Sequence, residues 1–271
     1  MPRPSRENHL SSLRGRTALV TGSTGGIGEA FARALAAEGC NVVLNGFGEA
    51  DEIEQLRAGI AREHGVEVVY EAADLAEADA IERMVAAAHA RFGTVDVLIN
   101  NAVTRHYAPV EAFPADKWDL ALAVNVSAAF HTIRLSLPGM KRRNWGRIIN
   151  MGSIHVTNVV RDRVDYMTTK AAIIGLTKAV ALECAQTGIT CNALCPGWVL
   201  TPHAERQIAR VMAEKGVARE AAIAELVSVR QPSRRPIMPA EVATLGIYLC
   251  GDAGANISGA ALPIDGAWAV T

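Results

Sequence analysis

The run Thr21-Gly22-Ser23-Thr24-Gly25-Gly26-Ile27-Gly28 narrows the possible folds more than any other part of this 271-residue chain. It follows a short apolar run (Ala18, Leu19, Val20) and opens an alanine-rich stretch with Ala30, Phe31, Ala34 and Leu35 at helical spacing. A strand that turns through glycines into a helix can bring its backbone close to a pyrophosphate. The amides and the positive dipole end of the new helix then face the anion. Gly22, Gly26, Ile27 and Gly28 are the candidate phosphate contacts, with Thr24 beside them. Such a turn alone is a weak signal. A second motif, Tyr166-x-x-x-Lys170 with Ser153 upstream, supplies the reactive end of the same pocket.

The rest of the chain repeats the strand-helix rhythm. Apolar or β-branched runs at 18–21, 41–45, 66–70, 95–100, 147–151, 190–195 and 261–264 alternate with stretches at 50–63, 77–91 and 163–185 whose apolar residues fall at helical spacing. Seven strands separated by helices predict an α/β, doubly wound, parallel Rossmann-type sheet in one domain spanning 1–271, its ligands at the C-terminal strand ends. Residues 1–14 are expected to be a flexible tail. Its arginines and serines leave an organelle transit peptide as the competing reading. Residues 201–239 break the rhythm, being charged and helical, and read as a lid over the substrate or as a passive insertion.

The bulk numbers limit the partners. A formal net charge of −1 and a pI near 6.7 give no electrostatic reason to bind nucleic acid or an anionic membrane. No uninterrupted apolar run is long enough to cross a bilayer, so a cytoplasmic protein without membrane partners is expected. The five cysteines form no C-x-x-C pair. If Cys191 and Cys195 share a strand they stand roughly 13 Å apart, too far to bridge, and all five read as reduced thiols.

Tyr166 and Lys170, four residues apart on one helix, share a face. A free phenol, with a pKa of about 10, is a poor proton shuttle at neutral pH, and a nearby ammonium favours its phenolate. Tyr166 is thus the candidate general acid/base, and Ser153 the hydroxyl that holds the substrate oxygen. Asn125 interrupts an apolar run (Leu120, Leu122, Val124, Val126); it reads either as holding a relay water toward Lys170 or as a satisfied structural asparagine. Asn101 and Ala102, closing the fourth strand, border the cofactor, and Asp74-Leu75 reach its adenine. The second strand ends Asn45-Gly46-Phe47-Gly48, with neither an acid for a ribose hydroxyl nor a cation for a 2′-phosphate. Absence of the cation favours NAD. No catalytic metal is expected.

Taken together, Thr21-Gly22-x-x-x-Gly26-Ile27-Gly28, Asn100-Asn101-Ala102, Ser153, Tyr166-x-x-x-Lys170 and Cys195-Pro196-Gly197 resemble the short-chain dehydrogenase/reductase family over nearly the whole chain. Within it, Asn41-Val42-Val43-Leu44-Asn45-Gly46-Phe47-Gly48, Phe130-His131-Thr132-Ile133-Arg134, Trp145-Gly146-Arg147-Ile148-Ile149-Asn150 and Leu262-Pro263-Ile264-Asp265-Gly266 are similar to the bacterial D-3-hydroxybutyrate dehydrogenases. The resemblance implies NAD held also by Phe47, Lys170, Pro196, Gly197 and Val199, a homotetramer, and exchange of a hydride between nicotinamide and a short 3-hydroxy acid. It further implies a carboxylate site at Arg105, His155, Arg163 and Gln207, with Trp198 and Trp268 on its apolar side.

Three departures bear on the substrate. Arg105 and Arg163 stand where such relatives carry glutamine and lysine, Val103 replaces a glycine, and 156–165 diverges. An arginine fork binds carboxylate bidentately, which lysine cannot. A bulkier or dicarboxylic hydroxy acid, a cyclic ketone, a sugar or a 3-oxoacyl thioester is the enzymatic alternative, and a non-catalytic NAD-binding protein the alternative of another class.

Overall fold

The computed structural model describes residues 13–271, and within them the seven expected strands form one sheet. These are β1 (Thr17–Val20), β2 (Asn41–Asn45), β3 (Val68–Glu71), β4 (Val97–Asn100), β5 (Gly146–Met151), β6 (Ile189–Pro196) and β7 (Ala261–Ile264). Their order is β3-β2-β1-β4-β5-β6-β7, and every pair is parallel. The change of direction falls between β1 and β4, where a crevice opens beyond the strand ends.

β1, β2, β4, β5 and β6 are almost wholly buried, which is why they read as unbroken apolar runs without alternation. Helices cover both faces: α1 (Gly26–Ala37), α2 (Ala50–His64), α3 (Ala78–Phe92), α4 (Ala115–Leu122), α5 (Ala128–Arg143), α6 (Val164–Glu183), α7 (Pro202–Lys215), α8 (Arg219–Ser228) and α9 (Pro239–Cys250). One core packs α1 and α9 beneath the sheet around Phe31, Leu35, Val42 and Leu249. The other packs α3, α5 and α6 above it around Leu19, Leu98, Met84 and Ile148.

A buried polar ladder ties the upper helices to the strands. The Thr132 hydroxyl of α5 bonds Asn100 Oδ1 at 2.7 Å, Asn100 donates to Asn150 Oδ1 at 2.9 Å, and Asn150 donates to Thr177 Oγ1 of α6 at 3.0 Å. Each buried amide thereby finds a partner, and α6 is set at a fixed height above β5.

Two expectations need correction. Leu13 is not tail: it is buried in the lower core, and its carbonyl accepts from the Cys40 thiol, because β1 needs a lid on its N-terminal end. Residues 1–12, the rest of the expected tail, lie outside the described residues. The continuous helical stretch Ala115–Arg143 is long and apolar enough for a membrane span, with mean hydropathy 1.4, although no such run stood out in the sequence. Its small residues Ala121, Ala128 and Ala129 are buried, and its α5 portion packs on α3, β4 and β5.

Residues 201–239 hold α7 and α8, packed on each other around Ala204, Ile208, Ala222 and Val227 with Trp198. Both ends of the insertion meet in a parallel bridge, Leu200 N–H donating to Ile237 O and Ile237 N–H to Trp198 O.

The α1–α9 contact leaves no room at Gly246, where a Cβ would come within 2.2 Å of Phe31. Gly246→Ala is expected to cost about 1–3 kcal/mol and to lower Tm by roughly 2–10 °C in a thermal melt.

Candidate active site

The turn after β1 is held by hydrogen bonds to the end of β4. Thr21 Oγ1 accepts from Asn101 N–H at 3.0 Å and Ala102 N–H at 3.1 Å, and Asn101 Nδ2 donates to the carbonyls of Thr21 and Gly22. Gly22 has a φ of +61°, and a Cβ there would lie 2.9 Å from Ala102 Cα. Gly28 does not line the groove. A Cβ on it would stand 2.1 Å from Gly22 O, so its part is to seat α1 against the turn.

Above this turn runs a groove of about 820 Å³ lined by Gly22, Thr24, Gly26, Ile27, Phe47, Asp74, Leu75, Asn101 and Ala102, all expected cofactor contacts. The N-cap of α1, Gly25, supplies no side-chain cap. The first-turn amides therefore face the groove without an internal acceptor, the arrangement a pyrophosphate needs. The groove fits a dinucleotide in size and chemistry. Pro196, Gly197 and Val199 line the adjoining cavity, which shares Ile27, Asn101, Val103 and Arg105 with the groove.

That second cavity, of about 160 Å³, brings together Ser153, Tyr166 and Lys170 with all six expected substrate residues: Arg105, His155, Arg163, Trp198, Gln207 and Trp268. Ser153 closes β5, and Tyr166 and Lys170 project from the first turns of α6. The Asp165 carboxylate pins that end of α6 by accepting from His106 N–H at 2.8 Å and Tyr166 N–H at 2.6 Å. Lys170 Nζ donates to Met151 O at 2.5 Å and lies 5.6 Å from the Tyr166 ring centre.

Burial raises the pKa of the Tyr166 phenol. The Lys170 ammonium, Arg105, a hydrogen bond from Ser153 and Arg163 together outweigh it and hold the phenol below its ordinary 10. Burial likewise pushes the Lys170 ammonium below its usual value; Tyr166 opposes that shift and Arg105 adds to it. The phenol is thus prepared to give up its proton and to take one back.

Asn125 sits in a π-helical segment, Ala123–Ser127, between α4 and α5. Its side chain is spent on structure: Oδ1 accepts from Thr104 N–H at 2.8 Å, and Nδ2 donates to Thr104 O at 2.9 Å and Thr169 Oγ1 at 3.1 Å. Asn125 and Lys170 nevertheless wall a void of about 10 Å³, the room of a single water.

The arginine-lined part of the cavity carries features the sequence does not announce. His203 and Arg230 also line it. Trp198 Nε1–H donates to Gln207 Oε1 at 2.9 Å, and the Gln207 amide lies 3.2 Å from His203 Nε2. Burial and then Arg105, Arg206 and Arg163 push the His203 pKa down to about 4, so its Nε2 is an acceptor at neutral pH and the Gln207 N–H donates to it. His155 Nδ1 lies 2.7 Å from Asn158 O, which fixes the donor on that nitrogen and leaves Nε2 as a lone pair. Burial, with Arg163, Arg230 and Arg105 adding repulsion, holds its pKa below the usual histidine value despite the Asn158 contact. A neutral His155 suits a hydroxyl better than a carboxylate. The one sequence cue to His203 is its place one turn before Gln207 on α7. Arg230, one of several arginines in the insertion, offers none.

A family model described as short chain dehydrogenase matches residues 16–211. The chain belongs to that family. It is accordingly an oxidoreductase. Among its family relatives is the D-beta-hydroxybutyrate dehydrogenase of Cupriavidus necator, 46% identical, with 94% of this chain and 98% of the relative covered. The protein of that name from Rhizobium meliloti is 44% identical, with 93% and 98% covered. In fold it is similar to L-sorbose reductase from Gluconobacter frateurii, solved with NADPH and L-sorbose, at a TM-score of 0.91 and 28% identity over 96% of this chain and 98% of that one.

Tyr166→Phe is expected to lower turnover by about 10²–10⁴-fold while cofactor binding, followed by fluorescence titration, persists. Alcohol oxidation needs the phenolate, so its rate is expected to rise with pH through an apparent pKa below 10; in Lys170→Ala that limb moves upward, measurable in a pH–rate profile.

Proposed function

We propose that this chain is an NAD-dependent dehydrogenase of short 3-hydroxy acids, interconverting D-3-hydroxybutyrate or a close homologue with its 3-keto acid. The observation that carries this reading is a tyrosine–lysine–serine centre set in a cavity walled by arginines and by no carboxylate. The substrates of the dehydrogenases at 44% and 46% identity support it.

In the oxidation, Ser153 and Tyr166 hold the substrate hydroxyl, and Tyr166 as phenolate takes its proton while the C3–H bond breaks. NAD, held along the groove by Gly22, Gly26, Ile27 and Asn101, would supply the acceptor for the hydride, so that two electrons leave the alcohol and a ketone forms. Lys170 keeps the phenol acidic and passes the proton on through the void beside Asn125. Trp198 and Trp268 exclude water from the alkyl chain, and Arg105 and Arg163 hold the carboxylate. The insertion carrying α7 and α8, joined to the body through the bridge at Val199 and Ile237, serves as the substrate lid.

Several features support NAD over NADP. Phe47 is 73% exposed at the end of β2, its carbonyl bonded by Thr24 Oγ1 at 2.8 Å. The surface hollow around it contains Glu29 and Glu52, and its one guanidinium, Arg33, is paired with Glu29 at 2.9 Å. A 2′-phosphate there meets like charge. Exposed Leu182 and Gly175 on α6 and Phe130 on α5 leave a face suited to pack copies of the chain as a homotetramer. The five unpaired, buried thiols suit a reducing, cytoplasmic compartment.

Purified protein is expected to form NADH, read at 340 nm, from NAD and D-3-hydroxybutyrate, with NADP poorer by about tenfold or more, equivalent to ~1.4 kcal/mol. Silence with every 3-hydroxy acid would overturn the reading. Arg163→Ala is expected to raise KM for the acid by roughly 10- to 100-fold, the loss of a charge-assisted hydrogen bond, while sparing neutral alcohols in the same assay.

A further inference from the structure

The substrate cavity holds more positive charge than one carboxylate neutralises. Arg105, Arg163 and Arg230 line it together with Lys170, and no aspartate or glutamate does. None of these three arginines takes part in an ion pair among the described residues, whereas most other arginines of the surface do. Asp165, two residues after Arg163, has both carboxylate oxygens committed to backbone amides.

Arg163 shows the deficit atom by atom. Its Nε and Nη2 are buried without any hydrogen-bond partner, and its guanidinium is held between two rings, 4.4 Å from the centre of Tyr166 and 4.8 Å from that of Tyr107. A buried donor on a charged group is costly to leave unpaired. Acceptors are therefore expected to arrive with the ligand. Arg230 follows α8, and Nη1 donates to Leu226 O at 2.6 Å, which anchors one arm of the fork beside the cavity.

The three forks are not equivalent. Arg105 and Arg163 stand close to the catalytic ring, at 5.4 Å and 4.4 Å. Arg230 makes no such contact with Tyr166; its electrostatic neighbours are Tyr107, Arg163 and His155. Arg105 and Arg163 thus stand beside the catalytic ring, and Arg230 lines the same cavity without such a contact.

We infer that the substrate carries a second anionic group: a short 3-hydroxy dicarboxylate whose near carboxylate lies on Arg105 and Arg163 and whose distal carboxylate lies on Arg230. This rests on the hydroxy-acid reading above and refines it. A cavity of about 160 Å³ is small beside the roughly 300–1,000 Å³ of drug-sized sites. It suits a short diacid and excludes a bulky thioester. A planar fork binds a carboxylate through two parallel bonds, so the preference is for arginine at 230 rather than any cation.

The test compares kcat/KM with NAD for 3-hydroxyglutarate and for D-3-hydroxybutyrate in the wild-type protein and in Arg230→Ala and Arg230→Gln. The diacid is expected to be preferred by about tenfold or more, the scale of one charge-assisted hydrogen bond. Both variants are expected to shrink that preference by a similar factor, with the change in KM rather than kcat. Oxidation of D-3-hydroxybutyrate with the diacid no better, or a loss in the variants equal for both acids, overturns the second anion site and leaves the hydroxy-acid reading standing. Oxidation of neither acid overturns both. Should a variant fail to fold, judged by circular dichroism, quenching of tryptophan fluorescence in the NAD-loaded wild type decides: glutarate is expected to bind at least tenfold more tightly than butyrate, and equal affinity overturns the proposal.

Discussion

Everything in this molecule hangs on the way the end of β1 is laced to the end of β4. Four hydrogen bonds join Thr21 and Gly22 to Asn101 and Ala102 across the switch point, and Gly22 and Gly28 leave the space that lets the two segments meet. Parallel strands diverge in their connections at this place, so a crevice is unavoidable there; the lacing sets its width. On one side it positions the amides of α1 for a pyrophosphate. On the other it starts the loop carrying Val103 and Arg105 into the second cavity. A Cβ at either glycine would disturb both sides at once.

The catalytic centre depends on a second set of fixed distances. The ladder Thr132–Asn100–Asn150–Thr177 holds α6 to the strands, and Asp165 pins its first turn to the loop that follows β4. Tyr166 and Lys170 thus face Ser153 from a rigid helix, while the cations around them keep the phenol acidic. Asn125 is a link in this scaffold, because its amide is consumed by Thr104 and Thr169. Rigidity here has a chemical purpose: proton transfer falls off sharply when donor and acceptor drift apart.

Substrate recognition rests on a different balance. The cavity wall is cationic, yet its two histidines are held neutral by burial and by the arginines beside them. Apart from Lys170, positive charge is thereby left to arginines, which cannot lose it near neutral pH. Neutral His155 and His203 then serve as hydrogen-bond acceptors and orienters, and Gln207 is held between Trp198 and His203.

Local pattern alone was enough for the seven strands, their parallel arrangement, the phosphate-binding turn and the tyrosine–lysine pair. Each of these is written in neighbouring residues: apolar runs of strand length, glycines between strand and helix, two side chains one helical turn apart. That the six expected substrate residues line one cavity was legible only through resemblance, since they come from separate places along the chain. Arg230 and His203, the burial of Leu13 and the commitment of Asn125 were decided by tertiary structure. A side chain's partners across the sheet or on an insertion depend on how distant segments pack, and an unpaired guanidinium cannot be told from a solvated one until its surroundings are built. The sequence by itself therefore determined the class of chemistry, and the packing decided how much charge the pocket presents to its substrate.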